Sequence, residues 1–490
     1  MGDTIVSIIV AIVLGLTTIG LLLGLARKWK KALLRFGIVV IDLGVAFFGT
    51  NNALAAISAE NATVTGNPII VELLTSIPSL FTLTGGLLKP MIFMICFLGS
   101  AIISLPIYLI ISLFFGYAPK ENTYPIAGML IGGLQGLLVA LVLVSPIVGY
   151  ASLAEQTVTT YKSVVGEEIP AEVAEIYEKH IEPINKHPLI DAIDLMSAPI
   201  FSTLTTFDMN GDTFNPSEEI PLLIAMYHNA TILMDVPPAE YGAEQRAAIT
   251  NITSLFEQST FLPNVGANVI SAISIKWKEN ESFIGFEPIE VAGDFKPTVD
   301  SLYAVLSTTT PETLKGDVAT LGDLVILMMD YNLTSLISDD RDVLAKVTAI
   351  NPTTNKTFFR AATELLDTNP HLSVLRYAIT ALSADVFGAR LGTPEKIREN
   401  YGDMVTSVVD VLKNAEGDSN EEKIEALTPA IKDGLAKNHI NLYDGVVDEA
   451  SRFLLEELEK DGVAIEDMTE EDIYNILDRM AAGETPIPVP

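Results

Sequence analysis

Four stretches of this chain lack the polar positions that a water-soluble element carries. Thr4 to Leu25 reads TIVSIIVAIVLGLTTIGLLLGL, 22 residues without a charge, and a helix of that length crosses a hydrocarbon core of about 30 Å. Further apolar runs cover residues 36–56, 90–115 and 124–148, interrupted by Asp42 in the second and by Pro106, an expected kink, in the third. They predict four membrane spans. After Tyr150 the pattern changes. Apolar residues recur at helical spacing in EEIPLLIAMYHNATILM, LSVLRYAITALSADVFG and NLYDGVVDEASRFLLEELEK, and no sustained two-residue alternation marks a strand. Asn215-Pro216 and Thr310-Pro311 place proline at a first helical position, and Thr469 with Asp472 forms a variant capping box. The expected fold is therefore all-α: a four-span bundle over 1–150, then about a dozen helices. A loop at 278–297 separates regions 151–277 and 298–490, and the last residues form an extended tail.

Charge sharpens the division. The formal charge is −32, yet the mean hydropathy is +0.38. Up to Tyr150 there are seven Lys/Arg and five Asp/Glu; the remaining 340 residues hold 23 basic and 57 acidic ones, a net of −34. An acidic region of this kind repels phosphate backbones, so nucleic acid is excluded as a partner. Cys96 is the only thiol, so an intrachain disulfide and a zinc site of paired cysteines are excluded as well. Five cations, Arg27, Lys28, Lys30, Lys31 and Arg35, stand between the first two runs without an anion. The positive-inside rule puts that segment in the cytoplasm. Both termini, the segment 57–89 and the acidic region then lie outside, and GYAPKENT inside. The absence of disulfides in a large outer region favours the cell membrane of a bacterium with one membrane. A cleaved leader fits poorly, because the cations follow the first run instead of preceding it. Six Asn-x-Ser/Thr triplets (Asn61, Asn229, Asn251, Asn280, Asn332, Asn355) are read as coincidence in a Thr-rich chain.

Candidate chemistry in the apolar region rests on a row of glycines and one carboxylate. Gly128, Gly132 and Gly136 fall four apart on one helix face and form a seam that another helix can approach closely. Packing within the bundle or between copies is the expected use. Asp42 costs on the order of 3 kcal/mol to insert. It should face the bundle and take a donor such as Thr17 or Thr18, reach the nearby cations, or serve as an ion or proton site. Residues 67–88 read as an interfacial element broken by Pro78 and Gly85-Gly86.

In the acidic region, Asp208, Asn210, Asp212 and Glu219 occupy positions one, three, five and twelve of a calcium loop. Gly211 stands fourth instead of sixth, and Pro216 already explains a helix start, so an Asx-rich turn is the favoured reading. His180, His187, His228, His371 and His439 are too scattered for a zinc site, and no nucleophile elbow or phosphate loop occurs. Carboxylate pairs such as Asp339-Asp340 and Glu421-Glu422 reflect composition and suggest at most loose divalent-cation association. No cofactor and no enzymatic activity are expected.

Asp3 before the first run, the Gly24, Arg27 and Lys28 turn, and the Gly128/Gly132/Gly136 span resemble, in that order, the colicin V production protein family of small four-span bacterial membrane proteins. The resemblance covers residues 1–150; the long segment 57–89 and the acidic extension depart from it. It implies a non-enzymatic accessory role in toxin production, export or envelope physiology, with lipid, other membrane proteins or further copies as partners. The alternative is a small transporter or ion-coupled channel that uses Asp42.

Overall fold

A computed structural model of the chain describes residues 2–56, 76–114, 125–166, 169–283, 287–288, 296–334, 346–347, 349–415 and 419–484. The described residues include eighteen α-helices and the protein is predominantly helical, so the expected all-α class holds. It forms two compact units, Met1–His228 with Glu257–Val269, and Asn229–Phe256 with Ile270–Pro490.

The first unit is built on three long helices, α1 (Gly2–Ala56), α2 (Pro78–Phe114) and α3 (Pro125–Val164). They supply four segments long and apolar enough to cross a membrane, Thr4–Ala26, Trp29–Leu54, Thr82–Ser112 and Pro125–Val164. Helical structure is continuous through α1, so the five cations lie on helix and not in a loop. The reason is local: Leu25 to Phe36 contains no Gly or Pro, and Lys, Arg, Ala and Leu are strong helix formers. Yet α1 is not straight. A straight helix would hold Val13 and Ala46 about 50 Å apart. Val6, Ile9 and Val13 share a core with Ala140, Leu141 and Val144, while Leu43 and Phe47 line one apolar recess with Leu138 and Val142. Both halves thus pack on the same stretch of α3, and the chain reverses between Gly24 and Arg35.

One further expectation is corrected. Gly85-Gly86 does not break the helix: α2 starts at Pro78, after the non-helical Ile77, and runs on through Gly85, Gly86, Pro90 and Pro106. Gly86 is there for contact, since a Cβ would overlap the Phe207 ring. The helix that carries the fourth apolar run continues past Val148 to Val164, since Gly149 to Val164 offers no proline. Residues 57–75 including Asn61, the GYAPKENT segment, Asp339-Asp340, the tail after Glu484, and the side chains of Asp3, Arg27 and Lys28 lie outside the described residues.

Short helices α4 (Ala171–Ile176) and α5 (Glu182–Asn185) flank a π turn at Tyr177–Ile181 and lead into α6 (Pro188–Thr205). There follows a hairpin that the periodicity did not predict. β1 (Phe207–Met209) pairs antiparallel with β2 (Asp212–Phe214) through a two-residue turn at Asn210-Gly211. Both turn residues have positive φ, 56° and 96°, as such a turn requires. Helix α7 (Pro216–Met234) begins at its proline, as expected.

The remaining helices are α8 (Ala243–Gln258), α9 (Phe261–Lys278), α10 (Lys296–Leu306), α11 (Pro311–Asp330), α12 (Phe358–Asp367), α13 (Ser373–Leu391), α14 (Pro394–Asn400), α15 (Gly402–Asn414), α16 (Asn420–Lys437), α17 (Asp444–Lys460) and α18 (Glu470–Ala481). Thr469 caps α18 with the capping box expected from the sequence, and α11 begins at Pro311 as expected, with a Thr310–Thr313 box beside it. The core of the second unit lies around α17, which packs against α12, α13, α16 and α18. Its apolar residues Val446, Val447, Ala450, Phe453, Leu454 and Leu458 form one face, and Asp448, Glu449 and Arg452 on the opposite side are buried as well, which makes the helix central.

Candidate functional site

Asp42 on the second half of α1 faces α2 and is 2% exposed. Its two carboxylate oxygens accept hydrogen bonds from Ser100 Oγ and Ser104 Oγ, both at 2.8 Å. Arg35 Nη1 in turn donates to Ser104 Oγ at 3.2 Å, and its guanidinium lies 5.4 Å from the centre of the Tyr108 ring. The donors are therefore Ser100 and Ser104, not Thr17 or Thr18. Thr17 lies on the first half of α1 against Gly136 of α3, away from Asp42. Residues 35 and 42 are two turns apart and share a face, so one helix aims a cation and a carboxylate at the same pair of serines. The arrangement gives both oxygens of a carboxyl among apolar neighbours a hydrogen-bond donor and holds it between two helices.

The glycine seam also finds its partner. Gly20 and Gly24 of α1 lie against Gly132 and Gly128, and Gly136 lies against Leu16 and Thr17. A Cβ on Gly132 would overlap the carbonyl oxygen of Gly20, and one on Gly136 that of Leu16. The seam is thus occupied within the chain by an antiparallel Gly-x-x-x-Gly of α1. Gly24, which the sequence presented as belonging to a turn, sits in this contact. Of the five cations, Arg35 is buried and Lys30 lies 5.7 Å from the Trp29 ring centre.

The calcium candidates are not brought together as a ligand set. Asp208 Oδ1 accepts from Gly211 N at 3.1 Å, inside the hairpin turn. Asn210 Nδ2 donates to Asn264 Oδ1 at 2.7 Å. Glu219 is buried and accepts from Ser259 Oγ, from Thr260 N at 3.1 Å and from Phe261 N at 2.9 Å, so it caps the start of α9. Among the described residues no group of three metal-ligating side chains occurs. Two of the histidines have local partners: His187 Nδ1 accepts from Leu189 N at the start of α6, and His371 bonds Asp317 at 2.6 Å and the Val305 carbonyl at 3.0 Å. Asn280, Asn332 and Asn355, three of the six triplet asparagines, have positive φ. That conformation suits asparagine without any appeal to glycosylation.

One cluster was missed by sequence reasoning. Glu449 of α17 is fully buried and accepts from Thr363 Oγ1 at 3.0 Å and Thr380 Oγ1 at 2.9 Å. Arg452 Nε lies 3.6 Å from it. Arg452 also faces Asp367 at 3.3 Å and Glu421 at 3.5 Å, and Arg376 pairs with Asp367 at 2.6 Å and with Glu456. Burial pushes the Glu449 carboxyl up to about 7, against the opposing pull of Arg452 and the two threonines. Asp367, Asp448 and Glu456 are also raised, each chiefly by burial. The sequence held no signal for it, because α17 is apolar on one face only and its charged face is buried by partners from α12 and α13, distant in sequence.

No family model, no curated protein and no solved structure matches the chain.

Proposed function

We propose that the chain is an integral membrane protein whose first unit crosses the bilayer four times and anchors the acidic helical region outside, where that region binds partners and performs no chemistry. The observation that carries this reading is the surface of the apolar helices. Leu22, Ile41, Phe48, Ile102, Ile103 and Leu130 are all exposed. Apolar patches of that extent are stable against lipid and unstable in water. Lys30, Lys31 and Arg35 at the reversal of α1 support a cytoplasmic corner. The kinship to the colicin V production family is proposed for residues 1–150 only. With the glycine seam filled by α1, an oligomer would use another face. Reporters active only outside the cytoplasm test the orientation: fused after Pro490 one should be active, and inserted after Lys31 it should be silent. The opposite pattern overturns the proposal.

A second reading, ion- or proton-coupled transport, is favoured by one observation: Asp42 is held by two serine hydroxyls between helices instead of facing lipid. It expects flux in proteoliposomes that Asp42→Asn abolishes. Flux no greater than in empty vesicles removes it.

A further inference from the structure

On the first unit an apolar recess of about 410 Å³ opens between the second half of α1, α2, α3 and the last turns of α6. That volume falls in the range of about 300–1,000 Å³ typical of small-molecule sites. Phe47, Phe93, Val142 and Leu204 form its walls, and Pro199 and Thr203 stand exposed at its edge. Thr203 is the only polar residue of the lining, and its hydroxyl donates to the Pro199 carbonyl at 2.7 Å. The wall therefore offers hydrocarbon contact and no unused donor.

A cation stands at one end of this recess. Lys89 precedes Phe93 by one turn of α2, and its Nζ lies 5.5 Å from the centre of the Phe47 ring. It is the only Lys or Arg between Arg35 and Lys120, and among the described residues it has no ion-pair partner. The one described carboxylate on the second half of α1, Asp42, is held by Ser100 and Ser104, about three turns further along α2. From Lys89 to Ser112, the end of the apolar stretch, the helix measures about 35 Å, close to a hydrocarbon core of about 30 Å, so Lys89 stands at headgroup depth. The second half of α1 runs antiparallel to α2, since Gly49 faces Cys96 and Leu54 faces Gly85. Exposed Asn51, one turn past Phe47, therefore lies at the level of Lys89. Free phosphate would meet the cation and leave the recess empty. A neutral apolar molecule would fill the recess and leave the cation unpaired. An anionic phospholipid satisfies both.

We propose that this recess holds one acyl chain of an anionic phospholipid whose phosphate sits on Lys89 Nζ. The site rests on the reading of the first unit as membrane-embedded and is independent of which side is cytoplasmic. The experiment is native mass spectrometry of the full-length protein in non-ionic detergent, titrated with dioleoylphosphatidylglycerol or dioleoylphosphatidylcholine, with inorganic phosphate as competitor. One phosphatidylglycerol should bind about fivefold more tightly than phosphatidylcholine, whose net charge is zero, and phosphate should not displace it. Lys89→Gln should remove the preference and Lys89→Arg should keep it. Thr203→Trp, which fills the recess from its exposed edge, should weaken both lipids by about tenfold with an unchanged circular dichroism spectrum; if it fails to fold, the Lys89 pair decides. Ile102→Trp, at an exposed span position outside the recess, should change nothing. The proposal is overturned if the two lipids bind equally, if phosphate displaces the lipid, if folded Lys89→Gln keeps the preference, or if folded Thr203→Trp binds as the parent does. It is also overturned if Ile102→Trp weakens binding as much as Thr203→Trp, the mark of unselective lipid contact. Recovery of the protein in the aqueous fraction without detergent overturns the membrane reading as well, whereas a membrane-bound protein without lipid preference overturns the lipid site alone.

Discussion

Glu449 holds a proton near neutral pH because the surroundings that bury it favour the uncharged form more strongly than Arg452 and two threonines favour the charged one. An exposed glutamate ionises near 4.3, and this carboxyl does so at about 7. Between those values the native state keeps a proton that the unfolded chain has released. Its contribution to stability is therefore complete below about pH 4.3, declines as pH rises through 7, and is gone above it, a difference of roughly 4 kcal/mol. Asp448 and Glu456, raised for the same first reason, act in the same direction. Glu449→Gln should flatten the fall in stability between pH 5 and pH 8, measured by thermal unfolding of the protein in detergent. A slope identical to that of the parent protein would show that the carboxyl is ionised throughout.

At the scale of elements the glycines separate by what lies opposite them. Gly132 faces the backbone of Gly20, whereas Gly37 and Gly44 have open space where a Cβ would stand. Gly132→Ala must push α1 and α3 apart, and the loss of close packing should lower the unfolding temperature markedly. Gly37→Ala and Gly44→Ala should leave it unchanged or raise it, since alanine is favoured over glycine by about 1 kcal/mol in a helix interior. Equal effects at all three positions would mean that α1 and α3 do not interlock. The same elements show what the sequence made legible. The apolar runs, Pro216, Pro311 and the Thr469 box were readable because they act within a few residues of themselves. Asn210-Gly211 was readable too, as the strongest short signal for a hairpin, but the calcium spacing drew attention to the same residues. The donors to Asp42 were not readable, because the choice between Thr17 and Ser104 depends on which helix the second half of α1 meets. Glu219 shows the same limit: its role as a cap for α9 depends on a contact about forty residues away in sequence.

Across the whole molecule, the acidic excess after Tyr150 and the buried carboxylates around α17 act together. The net charge of −34 over those 340 residues repels itself more as pH rises. The same rise removes the protons that stabilise Glu449 and its neighbours, so both effects weaken the folded region on the alkaline side. Sequence composition announced the first effect, while the second required knowing that α17 is central.

The interlock of Gly20 and Gly24 with Gly132 and Gly128 also has a consequence in time. Translation advances at about 5–20 residues per second, so Gly20 is made roughly 5–20 s before Gly132 reaches it. During that interval the first helix carries an open groove that any small-residue helix of another nascent chain could fill. The order of synthesis thus leaves that groove open until the chain's own third long helix arrives to fill it.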